Sequence, residues 1–187
     1  ERPGRVLVIQ NGGLLPEPAA TLKVAHVGDA GLMGLALDPD FATNHHLYVY
    51  YTYSDSAGRL WNRVERFVED SNRLKEPRVI TEGIPGASIH DGGRIKFGPD
   101  GKLYVTTGDA AQQDLSQDLA SLAGKVLRLN PDGSIPADNP FPGSAIYSYG
   151  HRNPQGIAFD ATGQLWTTEH GPSARDELNK GQKGGNF

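Results

Sequence analysis

The sequence has 187 residues, with 24 glycines and 13 prolines beside 21% charged residues, a balance that suits many short strands joined by tight turns and argues against a helical bundle. Its formal net charge of −4, without a local Lys/Arg cluster, makes no case for nucleic-acid binding. The lack of cysteine excludes disulfides, zinc thiolate sites and thiol nucleophiles, and no apolar run approaches the roughly 18 residues that cross a membrane.

Along the chain, β-branched and aromatic residues predict strands at Arg5–Gln10, Leu47–Tyr53, Arg63–Val68, Ile95–Phe97, Leu103–Thr107, Val126–Leu129, Ile157–Phe159 and Leu165–Thr168. Asp100-Gly101 and Thr162-Gly163 sit between paired strands and read as hairpin turns, and Asn130-Pro-Asp-Gly133 reads as a further turn. Leu115, Leu119 and Leu122 are spaced for one short helix within Asp114–Ala123. The loop Ala137–Ser144 carries Pro140 and Pro142 and is expected to be irregular. No linker or domain boundary interrupts the sequence.

One unit recurs. Phe97-Gly-Pro-Asp-Gly-Lys-Leu-Tyr-Val-Thr-Thr107 returns as Phe159-Asp-Ala-Thr-Gly-Gln-Leu-Trp-Thr-Thr-Glu169, with Phe, Gly, Leu, an aromatic residue and Thr in register. A fainter copy lies upstream in Leu37-Asp-Pro-Asp-Phe41 and Leu47-Tyr-Val-Tyr-Tyr51. Repeats of this size, made of short strands and Asp-Gly turns, predict an all-β fold of the β-propeller type, in which each blade is one four-stranded sheet. Closed rings need at least about four blades, and this chain has room for about three. Residues 1–187 are therefore expected to be a partial propeller domain, truncated at both ends. Glu1-Arg2-Pro3 reads as the tail of another inner strand, and Lys183-Gly-Gly-Asn-Phe187 stops in a Gly-rich turn.

Propeller function usually sits on the loops that meet over the central channel. Three polar loops stand out: Ser88–Arg94, Tyr149–Gly156 and Glu169–Glu177. The first two precede successive copies of the repeat and the third follows an inner strand, so the three are expected to converge on one ligand. His90 can serve as a general base, because imidazole titrates near neutrality, or simply as a hydrogen-bonded turn residue. Arg152 can hold a carboxylate or developing negative charge through its planar fork, or tie two blades as an ion pair. Asn153, held extended before Pro154, suits a ligand contact or a turn. Gly171 and Pro172 can offer carbonyl oxygens to a calcium ion, with the Asp176 and Glu177 carboxylates beside them.

Taken in order, several motifs resemble those of the soluble quinoprotein sugar dehydrogenases, also described as aldose or glucose/sorbosone dehydrogenases. They are Gly31-Leu-Met-Gly-Leu-Ala36 with Pro39-Asp-Phe41, His90-Asp-Gly-Gly-Arg94 leading into Phe97–Asp109, Gly124–Gly133, Gly150-His-Arg-Asn-Pro-Gln-Gly156, and Glu169-His-Gly-Pro172 with Asp176-Glu177. The resemblance implies a six-bladed propeller that binds pyrroloquinoline quinone (PQQ) with calcium and oxidises the anomeric hydroxyl of aldoses to lactones. It implies that His90 takes the hydroxyl proton, that Arg152 stabilises charge on the quinone, and that Asn153 contacts the cofactor. By the same resemblance the Gly171 and Pro172 carbonyls bind the cofactor's calcium, and Glu177 belongs to a second, structural calcium site.

The implied partners are a small aldose and an external electron acceptor, and the implied location is periplasmic or secreted. Two positions depart from the pattern. Asp29 stands where better-studied members carry Gln, and Ile89 precedes His90 where some carry an acid. Further basic and aromatic cofactor contacts of the family fall outside this sequence, so these residues alone are expected neither to bind the quinone stably nor to turn over. The competing expectations are a calcium-dependent lactonase-type hydrolase and a non-catalytic calcium-stabilised propeller that only binds.

Overall fold

Apolar runs in this chain become strands buried on both faces. In the computed structural model, which describes Glu1–Phe187, every residue of Leu103–Thr107 and of Lys125–Leu129 is buried. A strand covered on one side shows alternating burial, so burial of every residue requires a packed layer on each side of the sheet.

The layers are antiparallel sheets that follow one another in sequence. Four two-residue strands come first, β1 (Arg5–Val6), β2 (Ile9–Gln10), β3 (Gly13–Leu14) and β4 (Ala20–Thr21), paired as β1 with β4 and β2 with β3. A four-stranded meander follows, of β5 (Leu32–Leu37), β6 (His46–Ser54), β7 (Leu60–Asp70) and β8 (Arg73–Pro85), with one helical turn, α1 (Phe41–Asn44), between β5 and β6. The second meander is β9 (Ile95–Phe97), β10 (Leu103–Thr107), β11 (Lys125–Leu129) and β12 (Ile146–Tyr149), and a third sheet holds β13 (Pro154–Phe159), β14 (Leu165–Glu169) and β15 (Glu177–Lys180). Stacked antiparallel meanders are the blade arrangement of a β-propeller. No helix is long and apolar enough to cross a membrane.

The recurring sequence unit is the glue between sheets. Its aromatic residue packs edge-on against the Phe that opens the next copy: Tyr48 meets Phe97 at 5.2 Å, and Tyr104 meets Phe159 at 5.0 Å. Each such pair contributes about 0.5–1.5 kcal/mol beyond its buried area. The polar end of the same aromatic residue returns to its own turn. Tyr48 Oη donates to Asp38, Tyr104 Oη to Asp100 and Trp166 Nε1 to Asp160, all within 3.0–3.2 Å. Around these contacts the main core joins Tyr48, Tyr50 and Val64 of the first meander to Ile95, Leu103 and Leu127 of the second. The outer face of β6 is closed by Leu22 and Val24 from the N-terminal segment.

The structure changes several details of the sequence reading, adding β5, β12 and β15 to the expected strands. The strand expected over Arg5–Gln10 is split, because Asn11 and Gly12, both at positive φ, turn Ile9–Gln10 into its own hairpin with Gly13–Leu14. The long edge strand β8 carries no expected signal, since its many charged residues and Pro77 face solvent on the outermost position. The helix expected within Asp114–Ala123 is only a 3-10 turn, Gln113–Ser116. Its carbonyls are needed elsewhere. The fully buried Lys125 ammonium donates to the oxygens of Leu115 (2.8 Å), Ser116 (3.0 Å) and Ala123 (2.5 Å).

Burial lowers the Lys125 ammonium to about 8, so it remains charged at neutral pH and locks this loop against β11. Lys125→Met would leave the Ala123 carbonyl without a donor and strip the charged donor from the Leu115 and Ser116 carbonyls, which keep the Asp118 (3.3 Å) and Gly150 (2.9 Å) amides. The expected cost is about 3 kcal/mol in denaturant unfolding, with faster amide exchange between residues 115 and 124.

Candidate active site

The three polar loops meet at one end of the stacked sheets. The Gly92 amide donates to Asn153 Oδ1 (3.1 Å), and Gln155 Nε2 donates to the Gly92 carbonyl (3.0 Å). The Asp109 amide donates to the Arg152 carbonyl (2.8 Å), and Arg152 Nη1 donates to the His170 carbonyl (3.0 Å). His90, Arg152 and Asn153 thus share one hydrogen-bonded framework with the start of the loop that carries Gly171 and Pro172.

His90 sits where the backbone is under strain, with φ at +62° on a residue that is not glycine. Its carbonyl lies so close to Gly108 that a Cβ there would overlap it, which explains the glycine at the end of β10. The ring is nearly buried, and Nδ1 lies 2.9 Å from Oδ1 of the buried Asp109. A carboxylate at Nδ1 fixes the proton there, leaving Nε2 as the free lone pair. Asp109 is itself held by the Ala111 amide (2.8 Å). Asp109 closes the sequence motif Phe97–Asp109, just beyond the repeat, where the sequence assigns it no role. Its signal is position: an acid just past the second strand of a sheet reaches the loop that precedes the first strand of the same sheet.

Glu169 repeats that arrangement one sheet later. It ends β14, is buried, and receives the Arg152 amide, the Asn153 amide (2.9 Å) and His151 Nδ1 (2.9 Å). His151 Nε2 in turn lies 2.8 Å from Ser148 Oγ. Ser148, His151 and Glu169 have the connectivity of a hydrolytic triad, yet Ser148 and His151 are each 1% exposed and Phe187 stacks on the imidazole at 4.8 Å. No ester can reach that serine, so the line is a structural brace. It holds the main chain of Arg152, whose Nε is buried without an acceptor. Neither Arg152 nor His90 lines the neighbouring polar pocket, which Asn153 and His170 do.

The pocket, about 370 Å³, is lined by Asp29, Arg94, Asn153, Gln155 and His170 among others. Asp29 is half-exposed there, 3.7 Å from the Arg2 guanidinium. Ile89 is also partly exposed, and the carboxylate that orients His90 is Asp109. In the third loop the Gly171 amide donates to Asp176 Oδ1 (3.1 Å), and His170 Nδ1 lies 3.7 Å from the same oxygen. The Gly171 and Pro172 carbonyls accept no hydrogen bond from the chain, and Glu177 is exposed on β15, receiving Asn179 Nδ2 (3.1 Å). Free carbonyls with neighbouring carboxylates form a hard-oxygen donor set of the kind calcium prefers. No three His, Asp or Glu side chains converge there as a ready cluster.

Asp91, next to His90, is almost fully buried. Its Oδ1 accepts Asn62 Nδ2 (2.9 Å) and the Ala87 amide (3.0 Å), while Oδ2 has no partner. Burial pushes this carboxyl up to about 6, reinforced by the Asp29 charge and opposed by the Asn62 and Ala87 hydrogen bonds and by His90.

Stacked antiparallel blades with a carboxylate-held histidine and an arginine at one end define a β-propeller with a built polar site. The chain belongs to the glucose/sorbosone dehydrogenase family, whose model matches residues 1–187. It is 39% identical to quinoprotein glucose dehydrogenase B of Acinetobacter calcoaceticus, over 86% of this chain and 40% of that protein. It is 37% identical to the aldose sugar dehydrogenase YliI of Escherichia coli, over 86% of this chain and 46% of that protein. The PQQ-bound structure of aldose sugar dehydrogenase from Streptomyces coelicolor superposes with a TM-score of 0.83 at 46% identity, covering 88% of this chain and 49% of that one. The chain spans about half the length of the curated relatives it matches.

The raised Asp91 carboxyl gives a sign for pH. A carboxyl that holds its proton more tightly when folded stabilises the fold fully below its ordinary value near 3.8, and that contribution is lost as pH rises through about 6. In Asp91→Asn an amide retains the Oδ1 acceptor and carries no charge. The variant is expected to gain about 3 kcal/mol relative to the parent between pH 4 and pH 7. Urea unfolding of both proteins across that range is the check, and parallel curves would contradict it.

Proposed function

We propose that the complete protein oxidises the anomeric hydroxyl of an aldose to a lactone, with PQQ and calcium in the site described above. The observation that carries this reading is His90, whose Nδ1 is pinned on buried Asp109 and whose partly exposed ring keeps Nε2 without a partner in the chain. Membership of the glucose/sorbosone dehydrogenase family supports it. So does its similarity to a quinoprotein glucose dehydrogenase and to an aldose sugar dehydrogenase solved with PQQ bound.

In the oxidation the C1 hydroxyl loses its O–H proton and the C1–H bond leaves with its electron pair as hydride, which yields the carbonyl of the lactone. His90 Nε2 receives the proton, and its imidazolium is stabilised by Asp109 through Nδ1. PQQ, when bound, supplies the acceptor for the hydride. Arg152, partly exposed and held through Nη1 on the His170 carbonyl, would stabilise the negative charge that arrives with it. Asn153 is held by Glu169 through its amide and by Gly92 through its side chain, and would contact the cofactor from that position. The Gly171 and Pro172 carbonyls would hold the cofactor's calcium, and Glu177 would contribute to a second calcium.

We place these sheets within a six-bladed ring, with a periplasmic or secreted location and an external electron acceptor. Further blades would supply the remaining cofactor contacts, so residues 1–187 alone are inferred to hold the quinone poorly. The buried Ser148–His151–Glu169 line, which substrate cannot enter, gives no support to a serine hydrolase, and the calcium-dependent lactonase-type alternative would use a metal-bound water instead.

His90→Ala in the intact protein is expected to lower sugar oxidation by at least about a hundredfold while PQQ binding, followed by absorbance titration, persists. Unchanged turnover in that variant would sink the assignment of His90 as the base.

A further inference from the structure

We propose that Asp91 is a positioning residue for His90, fastening the histidine loop to the first meander as a hydrogen-bond acceptor without using its charge. This deepens the reading of His90 as the base and rests on it for the effect on turnover.

A buried polar relay runs from the first meander to the loop. The Gly31 amide donates to Thr52 Oγ1 (3.4 Å), Thr52 Oγ1 donates to Asn62 Oδ1 (2.6 Å), and Asn62 Nδ2 donates to Asp91 Oδ1 (2.9 Å). A second Asn62 amide hydrogen goes to the Pro85 carbonyl (3.1 Å), so the Asn62 side chain cannot rotate without losing partners at both ends. The Asp91 main chain is held as well, its carbonyl accepting from Tyr50 Oη (2.9 Å). Thr52, Asn62 and Asp91 are each no more than 1% exposed, so water does not compete for these bonds. Buried bonds of this kind are costly to break, because the released groups find no other partner.

His90 needs such restraint. Its left-handed backbone conformation is unfavourable for a histidine and persists only where the surroundings over-determine it. Asp109 grips the ring and the Ala110 amide holds the carbonyl (3.2 Å), both from the second meander. Asp91 holds the adjoining residue from the first. A loop pinned on two sheets fixes the imidazole against both, and displacements near 1 Å at a reacting group can cost on the order of a hundredfold in rate.

The geometry separates acceptor from charge. Only Oδ1 is used, by two neutral donors, while Oδ2 is buried with no donor, and no cationic side chain pairs with Asp91. The titratable groups facing it are His90 on its own loop, Asp29 across the pocket and Tyr50, whose hydroxyl donates to the Asp91 carbonyl. A carboxylate retained for its charge would be expected to have a cation or a full set of donors around both oxygens.

The test compares Asp91→Ala and Asp91→Asn in the intact protein loaded with PQQ and calcium, with glucose as substrate. Asp91→Ala is expected to lower kcat about tenfold to a hundredfold with KM changed by less than about threefold. Asp91→Asn is expected to recover most of the lost kcat, since its Oδ1 accepts the same two bonds. Asn62→Ala, which cuts the relay one step away, should reproduce the kcat loss in weaker form, and it serves where Asp91→Ala fails to fold.

A second readout needs no substrate: the 15N resonance of His90 Nδ1, which reports its hydrogen bond to Asp109. It should match the parent in Asp91→Asn and move in Asp91→Ala and Asn62→Ala. An Asp91→Ala protein with parental kcat and an unmoved His90 resonance would overturn the proposal. An Asp91→Asn protein as impaired as Asp91→Ala would also overturn it, because charge would then be required. If the parent itself oxidises no sugar while the resonance moves as described, the base assignment fails and the positioning of His90 by Asp91 stands.

Discussion

The carboxylate of Glu169 organises the loop on which the site depends. It lies at the end of β14, nearly sealed from water, and receives the consecutive amides of Arg152 and Asn153 together with His151 Nδ1. These three donors, with Asn179 Nδ2 from β15 (3.4 Å), replace the hydration the buried anion has lost, and the loop that provides the three is locked in return. Without that anion the two amides would have no partner, and Arg152 would have no fixed place from which to present its guanidinium. Asp109 does the corresponding work one sheet earlier through the His90 ring. In two successive sheets the loop is therefore ordered by an acid near the end of the second strand, Glu169 as the last residue of β14 and Asp109 shortly beyond β10.

The sheets must be held at a constant spacing for this to work, and the recurring aromatic residue provides it. Tyr48 on Phe97 and Tyr104 on Phe159 are nearly the same contact, made one sheet apart. Each copy of the sequence unit thus carries half of a contact completed by the next copy. The aspartates of the turns anchor the polar end of each aromatic ring, so the ring has one orientation available. Identical contacts at successive interfaces yield similar geometry, and similar geometry brings equivalent loops to the same end of the stack.

The site also shows how little the presence of reactive side chains says about their use. Ser148, His151 and Glu169 are connected like a nucleophilic triad, and burial makes them a brace. His90 and Asp109 form a simpler pair, and partial exposure of the imidazole makes it available for proton transfer. Exposure separates the two histidines; hydrogen bonding alone does not.

From the sequence alone, the all-β class, the repeat, the turns at Asp100-Gly101 and Thr162-Gly163, and the three polar loops were legible, because each is written in local spacing and turn chemistry. The short helix expected within Asp114–Ala123 was misread, because local spacing cannot show that the Lys125 ammonium will claim its carbonyls. Tertiary structure alone decided which acid holds His90, that Glu169 and not a surface partner orders Arg152, and that Asp91 is tied to Asn62 across two sheets. Those contacts join residues that lie 16 to 29 positions apart in the chain. Their partners are chosen by the stacking of sheets and by the exclusion of water between them, and neither quantity is carried by any short stretch of sequence.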